Sequence, residues 1–170
     1  MERLDSKFYM QDALVVAPQL LGKFLVRKLD DGSIIRYRIT ETEAYVGEED
    51  SACHARFGKT KRTAILYEKG GYAYVYLCYG IHYLFNVVTG DEDNPQAILI
   101  RAVEGYEGPG KLTKALKIDK HLNGVDLTTS NQVWIEDDNF KTDYITKKRV
   151  GIDYASEPYK SIEWRFMMKK

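Results

Sequence analysis

From Ile35 to Tyr45 the chain alternates residue by residue. Ile35, Tyr37, Ile39, Glu41, Glu43 and Tyr45 share one face, while Arg36, Arg38, Thr40 and Thr42 share the other. This period of two predicts a half-buried strand over Ser33–Tyr45 with Glu41 and Glu43 on its apolar side. The strand is joined through the Asp30-Asp31-Gly32 turn to a second strand, Lys23–Leu29. The same reading predicts a strand at Tyr72–Tyr79, opened by Gly70-Gly71 and stopped by Gly80, and another at Tyr83–Thr89. After the Gly90–Pro95 turn comes Ala97–Val103, the most apolar of the strands. A short strand is expected at Val133–Ile135, and Lys147–Ile152 should begin a basic final strand. Two short helices are predicted: residues 12–21, with Pro18 starting or breaking it, and Lys111–Leu116, preceded by Gly108-Pro109-Gly110. Glu48–Thr63 is polar and reads as a loop. Strands in hairpin order with few helices predict an α+β fold: one domain over residues 1–170, with a curved, partly barrel-like antiparallel sheet flanked by short helices.

Composition narrows the possible partners. Lys plus Arg equals Asp plus Glu at 25 each in 170 residues, so no overall field announces a polyanion. A nucleic-acid site has to be a local patch. Basic runs lie at Lys59–Arg62, at Lys111, Lys114, Lys117 and Lys120, and at Lys147–Arg149. Cys53 and Cys78 offer neither a disulfide framework nor metal-ligand spacing, which suits a reducing compartment. Asp5, Lys7 and Asp12 interrupt any secretory pattern near the start, and no apolar run approaches membrane-spanning length. The expectation is a monomeric cytoplasmic protein with access to the nucleoid and no membrane partner.

Candidate chemistry centres on the paired glutamates. A carboxylate on an apolar strand face is costly unless it is paired, hydrogen-bonded or working, and such burial raises its pKa toward that of a general base. The bland alternative is a strand end where Glu41 or Glu43 reaches water. Tyr72, Tyr74 and Tyr76 share one face of their strand, opposite Val75, Leu77 and Tyr79. They serve either as packing residues or as an aromatic platform for nucleobases. Arg101, on a face with Leu99 and Val103, calls for a carboxylate partner, either in a structural ion pair or with the buried glutamate and a water. Asn86 lies between Leu84 and Val88 on its face. His54 lacks the neighbours of a zinc motif and reads as a hydrogen-bonding or stacking residue. No metal or other cofactor is expected. Two other readings stay open: a metal-dependent hydrolase using His54 with Glu41, Glu43, Glu48, Glu49 and Asp50, and a non-catalytic nucleic-acid-binding module built on the tyrosines.

Several strings together resemble a known family. They are Glu41-Thr42-Glu43-Ala44-Tyr45 with Asp50 and His54, Tyr74-Val75-Tyr76-Leu77-Cys78-Tyr79-Gly80, Asn86, Arg101-Ala102-Val103-Glu104, Gly108-Pro109-Gly110-Lys111-Leu112, and Arg149-Val150-Gly151-Ile152. In this order they are similar to the alkyladenine (3-methylpurine) DNA glycosylases, over nearly the whole chain. The resemblance implies metal-free excision of alkylated purines such as 3-methyladenine, flipped out of damaged duplex DNA, to leave an abasic site. It makes Glu43 the base that activates water, with Arg101 and the main-chain carbonyl of Val150 holding that water. It places Tyr45 on one face of the flipped base and His54 and Tyr76 on the other. Asn86 and Leu99 would screen the purine's substituents, and Tyr79 would fill the vacated stack. Apart from the resemblance, the basic runs and the Gly-rich turn before Lys111 make Gly110, Lys111 and Lys147 the expected phosphate contacts. None of the implied pocket residues is an amine, so base release without strand cleavage is expected. The chain departs from the family in its short stretch between Glu104 and Gly108 and in Arg62–Gly70, which lacks the usual Arg-Asn and Met-Phe residues.

Overall fold

A computed structural model describes residues 1–169 of the protein. Its strands are β1 (Glu2–Arg3), β2 (Phe24–Lys28), β3 (Ile34–Val46), β4 (Ala73–Cys78), β5 (His82–Thr89), β6 (Gln96–Val103), β7 (Tyr106–Glu107), β8 (Val133–Asp137), β9 (Tyr144–Lys147) and β10 (Arg165–Met168). They form one antiparallel sheet that is not closed, in the order β1-β8-β2-β3-β6-β5-β4, with β7 on β6 and β10 between β3 and β9. The helices are short: α1 (Ser6–Tyr9), α2 (Ala13–Gln19) and α3 (Pro109–Ala115). The expected α+β architecture is therefore present. Among the described residues no helix is long and apolar enough to cross a membrane.

The longest strand, β3, carries the site and bends the predicted alternation. Along one edge it pairs first with β2 and then with β10; along the other it pairs with β6. The pairing with β6 is irregular between Ile39 and Glu41 and again between Glu41 and Thr42. Before this break Ile35, Tyr37 and Ile39 pack on the main core; after it Ala44 and Val46 do. The Thr42 hydroxyl, on that same side, donates to the Ala17 carbonyl of α2 (2.9 Å). An irregularity of this kind exchanges the two faces of a strand. Glu41, Glu43 and Tyr45 thus lie opposite the main core, on the side of a cavity, rather than on the apolar side that strict alternation predicts.

Local chemistry accounts for most of the remaining elements. Asp12 caps α2 by accepting the Leu14 N–H (2.9 Å), and Gln96 of β6 accepts the Ala13 N–H (2.9 Å). Val16, Ala17 and Leu20 then bury against the sheet. Gly70 abuts the Tyr9 carbonyl, where any side chain would collide with that oxygen, and Gly71 takes a φ of 118° that favours glycine.

Four boundaries differ from expectation. Pro18 lies inside the last turn of α2 rather than starting or breaking it. Pro109 and Gly110 belong to the first turn of α3, where a missing proline N–H costs no hydrogen bond. The segment at Val133 continues to Asp137 because β1 and β2 pair with both its edges. Lys147–Ile152 is not a final strand: Lys147 ends β9, the chain then turns, and the last strand is β10.

Candidate active site

A cavity of about 500 Å³ opens on the face of β3–β6 that carries Glu43. That is within the range of about 300–1,000 Å³ usual for small-molecule sites. Beneath it a row runs across the sheet, of which Leu99, Asn86 and Tyr74 line the cavity while the fully buried Glu43 lies behind the lining. Glu43 of β3 pairs with Leu99 of β6, Leu99 with Asn86 of β5, and Asn86 with Tyr74 of β4. Antiparallel pairing makes side chains from strands far apart in sequence neighbours on one face.

Glu43 is fully buried. One carboxylate oxygen accepts the Tyr45 hydroxyl (2.7 Å), the other accepts the Val150 N–H (2.7 Å), and Arg101 stands 3.7 Å from the first. Burial raises the Glu43 pKa above the usual carboxylate range, while Arg101, the Val150 N–H and the Tyr45 hydroxyl each pull against that rise. Burial also holds the Tyr45 hydroxyl protonated, so it donates. A carboxylate whose proton affinity is raised in this way is a stronger base than an exposed one. Glu41 is engaged differently, taking the Arg101 Nε–H at 2.9 Å and lying 3.5 Å from Arg165 of β10. The water-holding group expected at Val150 was its carbonyl; the contact present is its N–H to Glu43.

Arg149 anchors this arrangement from behind. It forms a fully buried ion pair with Asp50 (2.6 and 2.9 Å) and donates to the carbonyls of Ala44 and Tyr159 (3.0 Å each). Asp50 also accepts the N–H groups of Val46 and Ala52. The pair ties the end of β3, the turn at residues 50–52 and the segment bearing Val150 into one unit. The Arg149 guanidinium lies 4.9 Å from the centre of the Tyr45 ring, and Asp50 neutralises it there.

Aromatic side chains wall the cavity. Tyr45 and Ala97 lie beside that row, and the His54 ring sits 4.6 Å from that of Tyr76. His54 Nδ1 and the Tyr74 hydroxyl share a hydrogen bond of 2.8 Å. Burial, with Arg62 and Arg56 nearby, pushes the His54 pKa down to about 4, so the imidazole is neutral. The Asn86 amide donates to the Tyr74 carbonyl (3.1 Å). Tyr79 is 88% exposed at the tip of the β4–β5 hairpin, with a φ of 52°, followed by Gly80 at 67°. Two exposed apolar residues flank that tip, Leu77 and Ile81.

The structure brings Glu43, Arg101, Val150, Tyr45, His54, Tyr76, Tyr79, Asn86, Leu99, Gly110 and Lys111 to or around one cavity. Lys147 is outside its lining, on β9 opposite Arg165. Lys111 is an exposed lining amine that the implied pocket lacked. The acids of the metal reading do not converge: Glu41 faces Arg101, Asp50 is spent on Arg149, and Glu48 accepts the Tyr67 hydroxyl (3.0 Å). Among the described residues no group of three His, Cys, Asp or Glu is placed to hold a metal ion. Sequence reasoning counted Arg149 in an exposed basic run, whereas it is buried against Asp50, and it assigned no role to Tyr154 or Arg165. Arg149 and Asp50 are 99 positions apart, and no local pattern joins them.

The sequence profile of the family described as methylpurine-DNA glycosylase (MPG) matches residues 7–108 and 105–170. A protein of Borreliella burgdorferi (strain ZS7) is 48% identical over 179 residues, covering 98% of this chain and 96% of its own length. One from Desulfitobacterium hafniense (strain Y51) is 44% identical over 197 residues, covering 99% and 96%. One from Legionella pneumophila (strain Corby) is 46% identical over 167 residues, covering 92% and 90%. All three carry the name "Putative 3-methyladenine DNA glycosylase".

Proposed function

The chain belongs to the methylpurine-DNA glycosylase family, and from that premise we propose that it excises alkylated purines such as 3-methyladenine from duplex DNA by flipping them into the cavity above Glu43. The observation that carries the reading is the buried Glu43 carboxylate, held directly behind the aromatic-walled cavity by three residues that line it, Tyr45, Val150 and Arg101.

The flipped base stacks between Tyr45 and the His54–Tyr76 wall, with Asn86 and Leu99 beneath its edge. Flipping costs a few kcal/mol of unstacking, least at a damaged pair, and aromatic walls offset it. Aromatic faces favour a cationic alkylated base, and a neutral His54 adds no repulsive charge. Tyr79 fills the vacated stack. Its left-handed backbone costs about 1–2 kcal/mol for a residue with a side chain, and its ring gains no packing in the free protein. A strained, solvent-exposed aromatic beside a cleft supports a role in the complex.

In the chemical step Glu43 takes a proton from a water molecule as that water's oxygen bonds to C1′ of the sugar. The electron pair of the breaking N-glycosidic bond leaves with the purine, which a cationic base accepts without further protonation. Arg101 orients the carboxylate and the water, and negative charge at Glu43 stabilises oxocarbenium character at the sugar. Lys111 at the cavity mouth and Lys147 on β9 contact phosphates.

The test is release of methylated purine from duplex DNA, with and without a chelator and with borohydride added. Release unaffected by chelator and without a trapped protein–DNA adduct is expected. Release that requires metal would favour the hydrolase reading, and binding without release would favour the non-catalytic module. An adduct lost in Lys111→Arg would assign Lys111 a covalent role.

A further inference from the structure

We infer that Phe57 and Tyr154, with the Arg56 guanidinium lying against both rings, form a second aromatic contact, leading outward from the cavity wall, that stacks on a nucleobase of the lesion-bearing strand. The inference rests on the DNA glycosylase reading above. Phe57 is 74% exposed, and it closes the short 3-10 turn His54–Phe57 whose first residue lines the cavity. A single exposed apolar residue is unremarkable by itself. This one has the Arg56 guanidinium packed against its ring.

The Arg56 guanidinium carbon is 4.1 Å from the centre of the Phe57 ring and 4.7 Å from that of Tyr154. Arg56 also donates to the Cys53 carbonyl (3.0 Å), and the Tyr154 hydroxyl donates to the Ala52 carbonyl (2.9 Å). Tyr154 is itself 57% exposed. Ala52, Cys53 and Tyr154 line the cavity, so the outer aromatic contact continues from its wall. Holding two exposed rings rigid lowers the entropy lost when a ligand stacks on them.

The charge around these rings selects the ligand. From His54 through Tyr67 the chain holds Arg56, Lys59, Lys61 and Arg62 and no acidic residue, in a protein of zero net charge. Glu48, whose carboxylate approaches Gly58, is engaged by the Tyr67 hydroxyl, and Asp50 by Arg149; Asp153 adjoins Tyr154 in the chain. Exposed rings amid cations match a base flanked by phosphates. An apolar protein partner would bury those cations without counter-charges.

The experiment measures binding of oligonucleotides carrying a tetrahydrofuran abasic analogue, as duplex and as single strand, to the full chain. Phe57→Ser should weaken binding about tenfold, with the melting temperature and the saturated base-release rate unchanged. Phe57→Trp should restore binding, and Phe57→Leu should not. Removing the bases that flank the analogue should weaken the unmodified protein and leave Phe57→Ser no weaker than before. Binding by Phe57→Ser equal to that of the unmodified protein would overturn the inference. So would an equal loss on strands with and without flanking bases, because the contact would then be to the backbone. The analogue needs no base release. Failure of the glycosylase reading, seen as no methylated purine released by the unmodified protein, is therefore read separately.

Discussion

Glu43→Gln separates catalysis from folding, because the structure gives the two effects different signs. Glu43 is fully buried, and its two oxygens accept the Tyr45 hydroxyl and the Val150 N–H at 2.7 Å each. A glutamine keeps a carbonyl oxygen for Val150. Its NH₂ group can donate to the Tyr45 oxygen once that hydroxyl turns its proton away. The hydrogen bonds survive while the cost of burying a charge disappears. Burial raises the Glu43 pKa, so the folded protein binds this proton more tightly than the unfolded chain. Its contribution to stability is greatest at low pH and falls as pH rises from the ordinary carboxylate range through the raised value. At neutral pH the variant should melt at the same temperature as the unmodified protein or higher. Base release should fall about 10²–10⁴-fold, or about 2.7–5.4 kcal/mol at about 1.36 kcal/mol per tenfold. The assay is single-turnover release of 3-methyladenine from methylated duplex, beside affinity for abasic-site DNA, which should hold within a few fold, and a thermal melt. In the unmodified enzyme the rate should drop as pH falls through the raised Glu43 value. Glu41→Gln is the control. Glu41 pairs with Arg101 and Arg165, so its change should cost about 1–3 kcal/mol of stability and slow release less. Near-normal turnover by Glu43→Gln with loss in Glu41→Gln would show that the wrong carboxylate carries the assignment. An unfolded Glu43→Gln would make Glu43 structural.

Tyr79→Ala should leave the melting temperature unchanged, because the side chain is 88% exposed, and should weaken action on duplex more than on single-stranded substrate. Tyr76→Ala, which removes a cavity wall packed on His54, should impair both; equal duplex-to-single-strand rate ratios with lowered melting temperatures in both variants would make the two tyrosines packing residues. His54 has its pKa pushed from 6.5 to about 4, so the unfolded chain takes up this proton first, and stability drains as pH falls from 6.5 toward 4. The melting temperature of His54→Gln should fall less over that interval, and identical pH slopes would refute the placement. Arg149→Met leaves a fully buried Asp50 without its counter-charge. Such a break costs about 3–5 kcal/mol, or about 6–20 °C of melting temperature at this chain length, and a calorimetric fall under about 3 °C would contradict the burial of the pair.

Local pattern was enough wherever one backbone segment decides the outcome. The alternation through Tyr72–Tyr79 sorts Tyr74 and Tyr76 to the cavity and Val75 to the core, because β4 runs without a break. Gly32 and Gly80 mark hairpins because their positive φ is a property of one residue. The same alternation groups Glu41, Glu43 and Tyr45 together. It misplaces the group relative to the core, because the irregular pairing of β3 with β6 lies between Ile39 and Thr42 and leaves no mark in the period of β3 itself. The last strand also escaped it: β10 is four residues long and exists through its partners β3 and β9. The support beneath the site lies furthest from sequence. The Val150 N–H reaches Glu43 across 107 positions, and Arg149 reaches Asp50 across 99. Periodicity reports which side of its own strand a residue takes, a matter of backbone geometry over a few residues. Which strands and turns then meet across the cavity is settled by sheet register and by the burial of charges that only their distant partners can neutralise.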